Sequence, residues 1–361
     1  MKQARAAAQN KPLPLSVALI GDSLTVGASG LYNCFEVMRY QPNSILAIDA
    51  SPFGRSIALL PVVRQLRAAL PNAYIAVATS TGTCELLTAV GLVDEAIDLG
   101  VIKSSDGGAG SAVKRFAQLF QRARRRDYDL VLDFAPRLET QMLSRLVVRA
   151  RTITPSRLPH VIEMLLGGSN KTPDYENVLK QIGVNGSDMR LAISLPDEEH
   201  AQFERLLERK GSRGGEPIIV LYAAGNGWPV ESFGEIGQRL ANNFGARVIA
   251  VDEPSDKSFT ESASALLPQT AIKLASPRAL ELAAAIARAS LIVTDEPGLA
   301  RMAADMGTPV IEIAEAHGKS RLAKSHRVVQ GSSRARVGTD EVYEIACEMI
   351  QDSRSASLFH S

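Results

Sequence analysis

This chain has few of the residues that build disulfide and metal sites. It holds three cysteines and five histidines in 361 residues. Cys34, Cys84 and Cys347 lie far apart, outside any metal-ligating spacing, which predicts a reduced, cytoplasmic protein. His160, His200, His317, His326 and His360 have no ligand spacing either, so no metal site and no cofactor are expected. Net charge is nearly absent: 40 Lys and Arg against 39 Asp and Glu leave a formal +1. That balance gives no general attraction to nucleic acid or anionic lipid. No apolar run approaches the roughly 20 residues that span a bilayer, so membrane contact is at most peripheral. Met1 to Pro12 carries Lys and Arg without an apolar core, and no signal peptide is expected there. No repeat occurs at a solenoid or propeller period.

Apolar content is plentiful. At 45% hydrophobic, the chain can fill two ordinary domain cores. Strand-like runs alternate with helical patterns, which predicts α/β architecture with parallel sheets. The candidate strands are 16–20, 45–50, 73–78, 130–134, 218–222, 247–251, 291–294 and 310–313. Helical periodicity covers 59–70, 83–90, 111–126, 139–150, 196–209, 232–244, 259–267, 279–289 and 299–306. The Gly-rich polar stretch 210–217 reads as a linker between two Rossmann-like domains, 44–209 and 218–338. Residues 1–43 form an N-terminal extension packed on the first domain. In 339–361 a helix over 340–351, capped by Thr339, is followed by a Ser-rich tail that frays.

The stretch from Ser44 to Pro61 reads as a buried strand, a Gly turn at Gly54 and a helix. An open α/β sheet places substrate beyond the carboxyl end of such a strand. Asp49 closes the strand and is the carboxylate best placed to act as a base. An ion pair with Arg55, holding the loop together, explains it equally well. In the second half, Thr294 to Arg301 follows a strand and opens a helix. Backbone N–H groups around Gly298 and Leu299 could hold a phosphate there, beside Asp295, Glu296 and Arg301. An ordinary turn with acids at a helix start is the plainer reading. Gly225 and Asn226, before Gly227 and Trp228, allow close approach to a ligand or form a short connecting turn. Glu253, after Asp252 at a strand end, suits ribose hydroxyls or is a solvated loop acid. Trp228 reads as a core residue at a helix entry.

Several runs, in order, resemble the heptosyltransferase-type glycosyltransferases (family 9). Leu60 to Ala73 is similar to the family's "LPVLRALRxxFPxA", Val93 to Glu95 to "VDE" and Tyr128 to Asp133 to "YDLVID". Trp228 to Phe233 resembles "WPxxxF", and Met302 to Pro309 resembles "LAAALGTP". The resemblance covers about residues 44–350. It implies a GT-B fold, two facing Rossmann-like domains with a cleft between them. It also implies inverting, metal-independent transfer of a heptose-like sugar from an ADP-sugar or related nucleotide sugar to a hydroxyl or amine acceptor. The donor would sit in the second domain and the acceptor, whose identity stays open, in the first. Three departures stand out. The family carries Arg at the strand end and Asp after the Gly, whereas this chain has Asp49 and Arg55. The family's phosphate-reaching Lys before the Trp is missing, and Arg301 stands where it has a His.

Two other readings remain open. One is a catalytically inactive glycosyltransferase-like binding or scaffold protein. The other is a GDSL-type hydrolase, from the literal Gly-Asp-Ser-Leu at 21–24 with Ser23 as nucleophile and Asp197–His200 as its D-x-x-H. The charge run 121–126 reads as a solvated helix end.

Overall fold

The computed structural model describes residues 42–100, 119–136, 151–153, 175–184, 190–191, 193–212, 214–224, 227–253, 258–315 and 325–358, with three single residues besides. The expected strand at 16–20, Ser23, nearly all of the helix expected at 139–150 and most of the first half of that expected at 111–126 lie outside the described residues.

Two all-parallel sheets organise the chain. The first has the order β3-β2-β1-β4-β5. Its strands are β1 (Ser44–Ile48), β2 (Tyr74–Thr79), β3 (Glu95–Asp98), β4 (Leu130–Asp133) and β5 (Arg151–Ile153). The second has the order β11-β10-β9-β6-β7-β8. It is built from β6 (Ile218–Tyr222), β7 (Arg247–Val251), β8 (Ile272–Leu274), β9 (Leu291–Thr294), β10 (Val310–Glu315) and β11 (His326–Gly331). Helices cover both faces, so the central strands are apolar along their whole length. β1 and β6 are buried at every position. Helix α1 spans Phe53–Ser56, α2 Leu59–Ala69, α3 Thr81–Ala89, α4 Tyr175–Gln181 and α5 Asp197–Arg209. In the second half, α6 spans Val230–Phe244, α7 Ser258–Ser262, α8 Ala279–Arg288, α9 Pro297–Asp305 and α10 Thr339–Leu358.

One apolar cluster runs through both halves. It joins Ile45, Val77 and Leu132 of the first sheet to Val220, Ile249 and Val251 of the second through Phe53, Phe203, Leu207, Ala279 and Leu299. Each fully buried Leu, Ile or Phe in it contributes about 1.5–3 kcal/mol relative to exposure. The outer faces have separate cores. Leu46, Ile48 and Ile97 belong to one. Trp228, Phe233, Val342 and Ile350 belong to the other.

The stretch at 210–217 is braced to the second sheet. Arg247 donates to Glu216 (2.9 Å), to the Gly211 carbonyl (2.6 Å) and to the Thr270 carbonyl (2.9 Å). Just before it, α5 packs on α8 through Phe203 and Leu207, with Arg288 paired to Glu204 at 2.6 Å. The final helix corrects an expectation. It starts at Thr339 and continues to Leu358 instead of fraying after Gln351. Ser353 to Leu358 contains neither Gly nor Pro, so nothing there breaks helical propagation.

Candidate functional site

The carboxyl ends of the two sheets meet at one seam. On the first side, Asp49 follows β1 and is wholly buried. Its Oδ1 accepts the Ser51 N–H at 3.0 Å and its Oδ2 accepts the Tyr175 hydroxyl at 2.7 Å. Tyr175 comes from α4, a helix the sequence patterns do not mark. Its hydroxyl also lies 3.3 Å from the Arg55 carbonyl, and its ring packs on Phe134 with centroids 5.2 Å apart. Burial, then the charge and hydrogen bond of Asp49, push the Tyr175 pKa far up; the guanidinium groups of Arg55 and Arg301 oppose them. Arg301 belongs to α9, so both halves reach this phenol. Behind it, the buried hydroxyls of Ser56, Ser80 and Thr83 bond one another at 2.6–3.2 Å and fix α1 against the start of α3.

On the second side, β9 runs into α9. Asp295 is wholly buried and accepts the Ala224 N–H at 2.8 Å, tying the end of β9 to that of β6. Thr294 Oγ1 accepts the Glu296 N–H at 3.0 Å. Glu296 is the N-cap of α9, and its carboxylate accepts the Gly298 N–H at 3.3 Å. Pro297 occupies the first helical position, where its missing N–H removes no helical bond. Leu299 is buried in the core, with its backbone at the helix start. Arg301 Nε lies 3.7 Å from Asp305, and Asp305 accepts the Leu191 N–H at 2.8 Å.

The two sides touch. A Cβ added to Gly298 would lie 1.6 Å from the Gly54 carbonyl oxygen. A Cβ added to Gly54 would lie 2.6 Å from Glu296 Cδ. Backbone therefore meets backbone across the seam, and only glycine fits at 298. The N–H of Gly298 is already engaged by Glu296 on its own helix, and Gly54 of the facing helix stands against the Gly298 Cα. This differs from the sequence expectation, in which these groups stand open to a diphosphate.

Asp252 is wholly buried and spends its oxygens on Thr260, accepting its N–H at 2.8 Å and its hydroxyl at 2.5 Å. Glu253 is half-buried at the end of β7. The fully buried Tyr222 hydroxyl, at the end of β6, has no hydrogen-bond partner among the described residues. Burial, then Glu253, Glu296, Asp295 and Asp252 in that order, push its pKa well up, so these four carboxylates share one neighbourhood. Gly225 and Asn226 lie outside the described residues. Trp228 is a core residue, as its spacing suggests: its Nε1–H donates to the Val337 carbonyl at 3.1 Å and its ring meets Phe233 edge-on at 4.6 Å.

The other signals go elsewhere. Asp197 and His200 sit exposed on the first turn of α5. Arg126 stacks on Tyr74 at 3.6 Å, Arg124 on Phe120 at 5.7 Å, and Arg122 pairs with Glu95 at 3.6 Å. A cavity of about 430 Å³ opens between α5 and α8, lined by Arg205, Arg209, Glu281 and others, and shares no residue with the seam. Among the described residues no group of three or more His, Cys, Asp or Glu could hold a metal ion. No helix among them is long and apolar enough to cross a membrane.

The sequence matches no protein-family model and no curated protein. Solved structures do match in fold. A family 9 glycosyl transferase from Veillonella parvula is 16% identical, with 86% of this chain and 97% of that one covered at a TM-score of 0.67. The E. coli ADP-heptose LPS heptosyltransferase II is 18% identical, with 86% and 99% covered at 0.63. E. coli heptosyltransferase WaaC with ADP-2-deoxy-2-fluoro heptose is 18% identical, with 84% and 99% covered at 0.56. The fold is thus GT-B, two parallel-sheet α/β domains as in these transferases.

Proposed function

We propose that this GT-B chain is a glycosyltransferase of the heptosyltransferase type. It binds a nucleotide sugar, an ADP-sugar first among candidates, along the carboxyl edge of its second sheet. It passes the sugar with inversion, and without a metal, to an acceptor on the first sheet. The observation that carries this reading is the contact of Gly54 with Glu296 and Gly298 where both sheets end, beside the Tyr175 hydroxyl that Asp49, Arg55 and Arg301 all act on. The fold likeness along the whole length of the solved transferases supports it.

The chemistry requires negative charge to be held on a departing diphosphate and a proton to leave the acceptor. The acceptor oxygen bonds to the anomeric carbon as the bond to the diphosphate breaks. Arg301, with the N-terminus of α9, faces the departing charge. Glu253 is the ribose partner. Asp49 receives the proton. The Tyr175 hydroxyl and the Ser51 N–H donate to its carboxylate and hold it in place.

Titration calorimetry with ADP and ADP-heptose tests the reading. Binding at millimolar ligand or tighter is expected, and silence at that concentration in the wild type and in Glu296-substituted chains alike sinks it. Release of ADP from ADP-heptose is then expected to vanish in Asp49→Asn and Arg301→Ala. The close Gly54–Gly298 contact favours a second reading, a binding protein without turnover. That reading would be supported by ADP-heptose binding with no ADP release above the Asp49→Asn background.

A further inference from the structure

The start of α9 is filled from within. A helix N-terminus concentrates positive potential on its unpaired N–H groups and favours an anion. Here the anion is the chain's own: Glu296 reaches over to the Gly298 N–H at 3.3 Å. The Gly54 carbonyl lies against the Cα of Gly298, since a Cβ there would come within 1.6 Å of it. The two halves are therefore in backbone contact beside the N–H that Glu296 caps. Nearby, the wholly buried Tyr222 hydroxyl has no hydrogen-bond partner among the described residues and lies in the field of Glu296 and Asp295. A buried O–H left unbonded is costly, and it marks this edge as built to receive one more polar group.

We propose that Glu296 is an internal stand-in for a ligand phosphate, and that a nucleoside diphosphate binds by exchanging with it while Gly54 parts from Gly298. This rests on the nucleotide reading above and adds to it the regulation of that site. Glu296 lowers nucleotide affinity instead of supplying it. In the free protein it also holds the two halves together, so binding and opening are one event.

Calorimetric titration of ADP into the full-length wild type, Glu296→Gln, Glu296→Ala and Gly54→Ala tests the exchange. Glu296→Gln keeps the shape of the side chain and removes its charge. Gly54→Ala acts from the facing half, pushing a Cβ against the Glu296 carboxyl carbon. Tighter binding is expected in all three, by about tenfold in Glu296→Ala. Binding by the variants where the wild type shows none supports the exchange as well. Wild-type binding with equal or weaker binding in the Glu296 variants overturns it and leaves the nucleotide reading standing. No binding by any of the four proteins overturns both.

Discussion

Asp49 and Tyr222 are both buried polar side chains at strand ends, and what they bond to sets them apart. Tyr175→Phe removes the donor to Asp49 Oδ2 and leaves a buried carboxylate short of a bond. A loss of about 1.5–3 kcal/mol in urea unfolding is expected. Tyr222→Phe removes a hydroxyl that bonds nothing among the described residues, so stability should stay level or rise by up to about 1 kcal/mol. A large loss in Tyr222→Phe would mean that the hydroxyl has a partner after all. Much of this site was legible residue by residue. Asp49, Glu296, Gly298 and Arg301 stand where a strand ends or a helix begins, and a linear pattern marks such places. Tyr175 was not legible: it sits on a helix of seven residues and meets Asp49 across 126 positions of chain. The role of Glu296 was invisible for another reason. A cap acting on its own helix and a ligand contact use the same residue at the same spacing.

At the scale of elements, the seven inner strands are apolar runs and were all readable. The four unread strands, β3, β5, β8 and β11, are the sheet edges. β3 is Glu-Ala-Ile-Asp and β11 is His-Arg-Val-Val-Gln-Gly, both too polar or exposed to register as buried strands. Helix junctions carry the interdomain energetics. Glu85 of α3 reaches across to accept the Ala279 N–H at 2.8 Å, and so caps α8 of the other half, while Arg278 bonds Glu199 at 2.8 Å. Glu85→Ala should therefore cost about 1 kcal/mol, as loss of an N-cap does, although Glu85 lies outside the helix it caps. Gly82→Ala should destabilise despite the gain in helix propensity. Its Cβ would lie 2.6 Å from the Phe53 ring, which is pinned between α3 and α8. Thermal melts of the two variants check both expectations, and an unchanged midpoint in Gly82→Ala would show that Phe53 can move aside.

For the whole molecule, one apolar cluster shared by both sheets predicts one unfolding transition. Trp228, the sole tryptophan, reports on the second half, whereas far-ultraviolet dichroism reports on both. Their denaturation midpoints should coincide, and separate midpoints would show that the halves unfold independently. Alkali should weaken this unit. Burial is the leading cause that raises Tyr74, Tyr128, Tyr175, Tyr222 and Tyr343 above the ordinary 10.0, with Tyr128 at about 12. Burial likewise lifts Cys84 from 9.0 to about 12. The folded state keeps these protons after the unfolded chain has lost them. Stability is therefore full below the ordinary values and declines as pH rises from about 9 to about 12. Calorimetric melting temperatures should fall across that range. Asp94 acts at the other end. Burial alone would raise its pKa, but the Ile75 N–H and Arg67 outweigh it and hold it low, so its share is lost in acid. The strand order has a consequence for synthesis. β1 is the first strand of its sheet along the chain yet lies at its centre, hydrogen-bonded to β2 and to β4 at Leu130–Asp133. On the ribosome its second edge stays bare until some eighty further residues have emerged, a window in which a nascent chain needs a chaperone's cover.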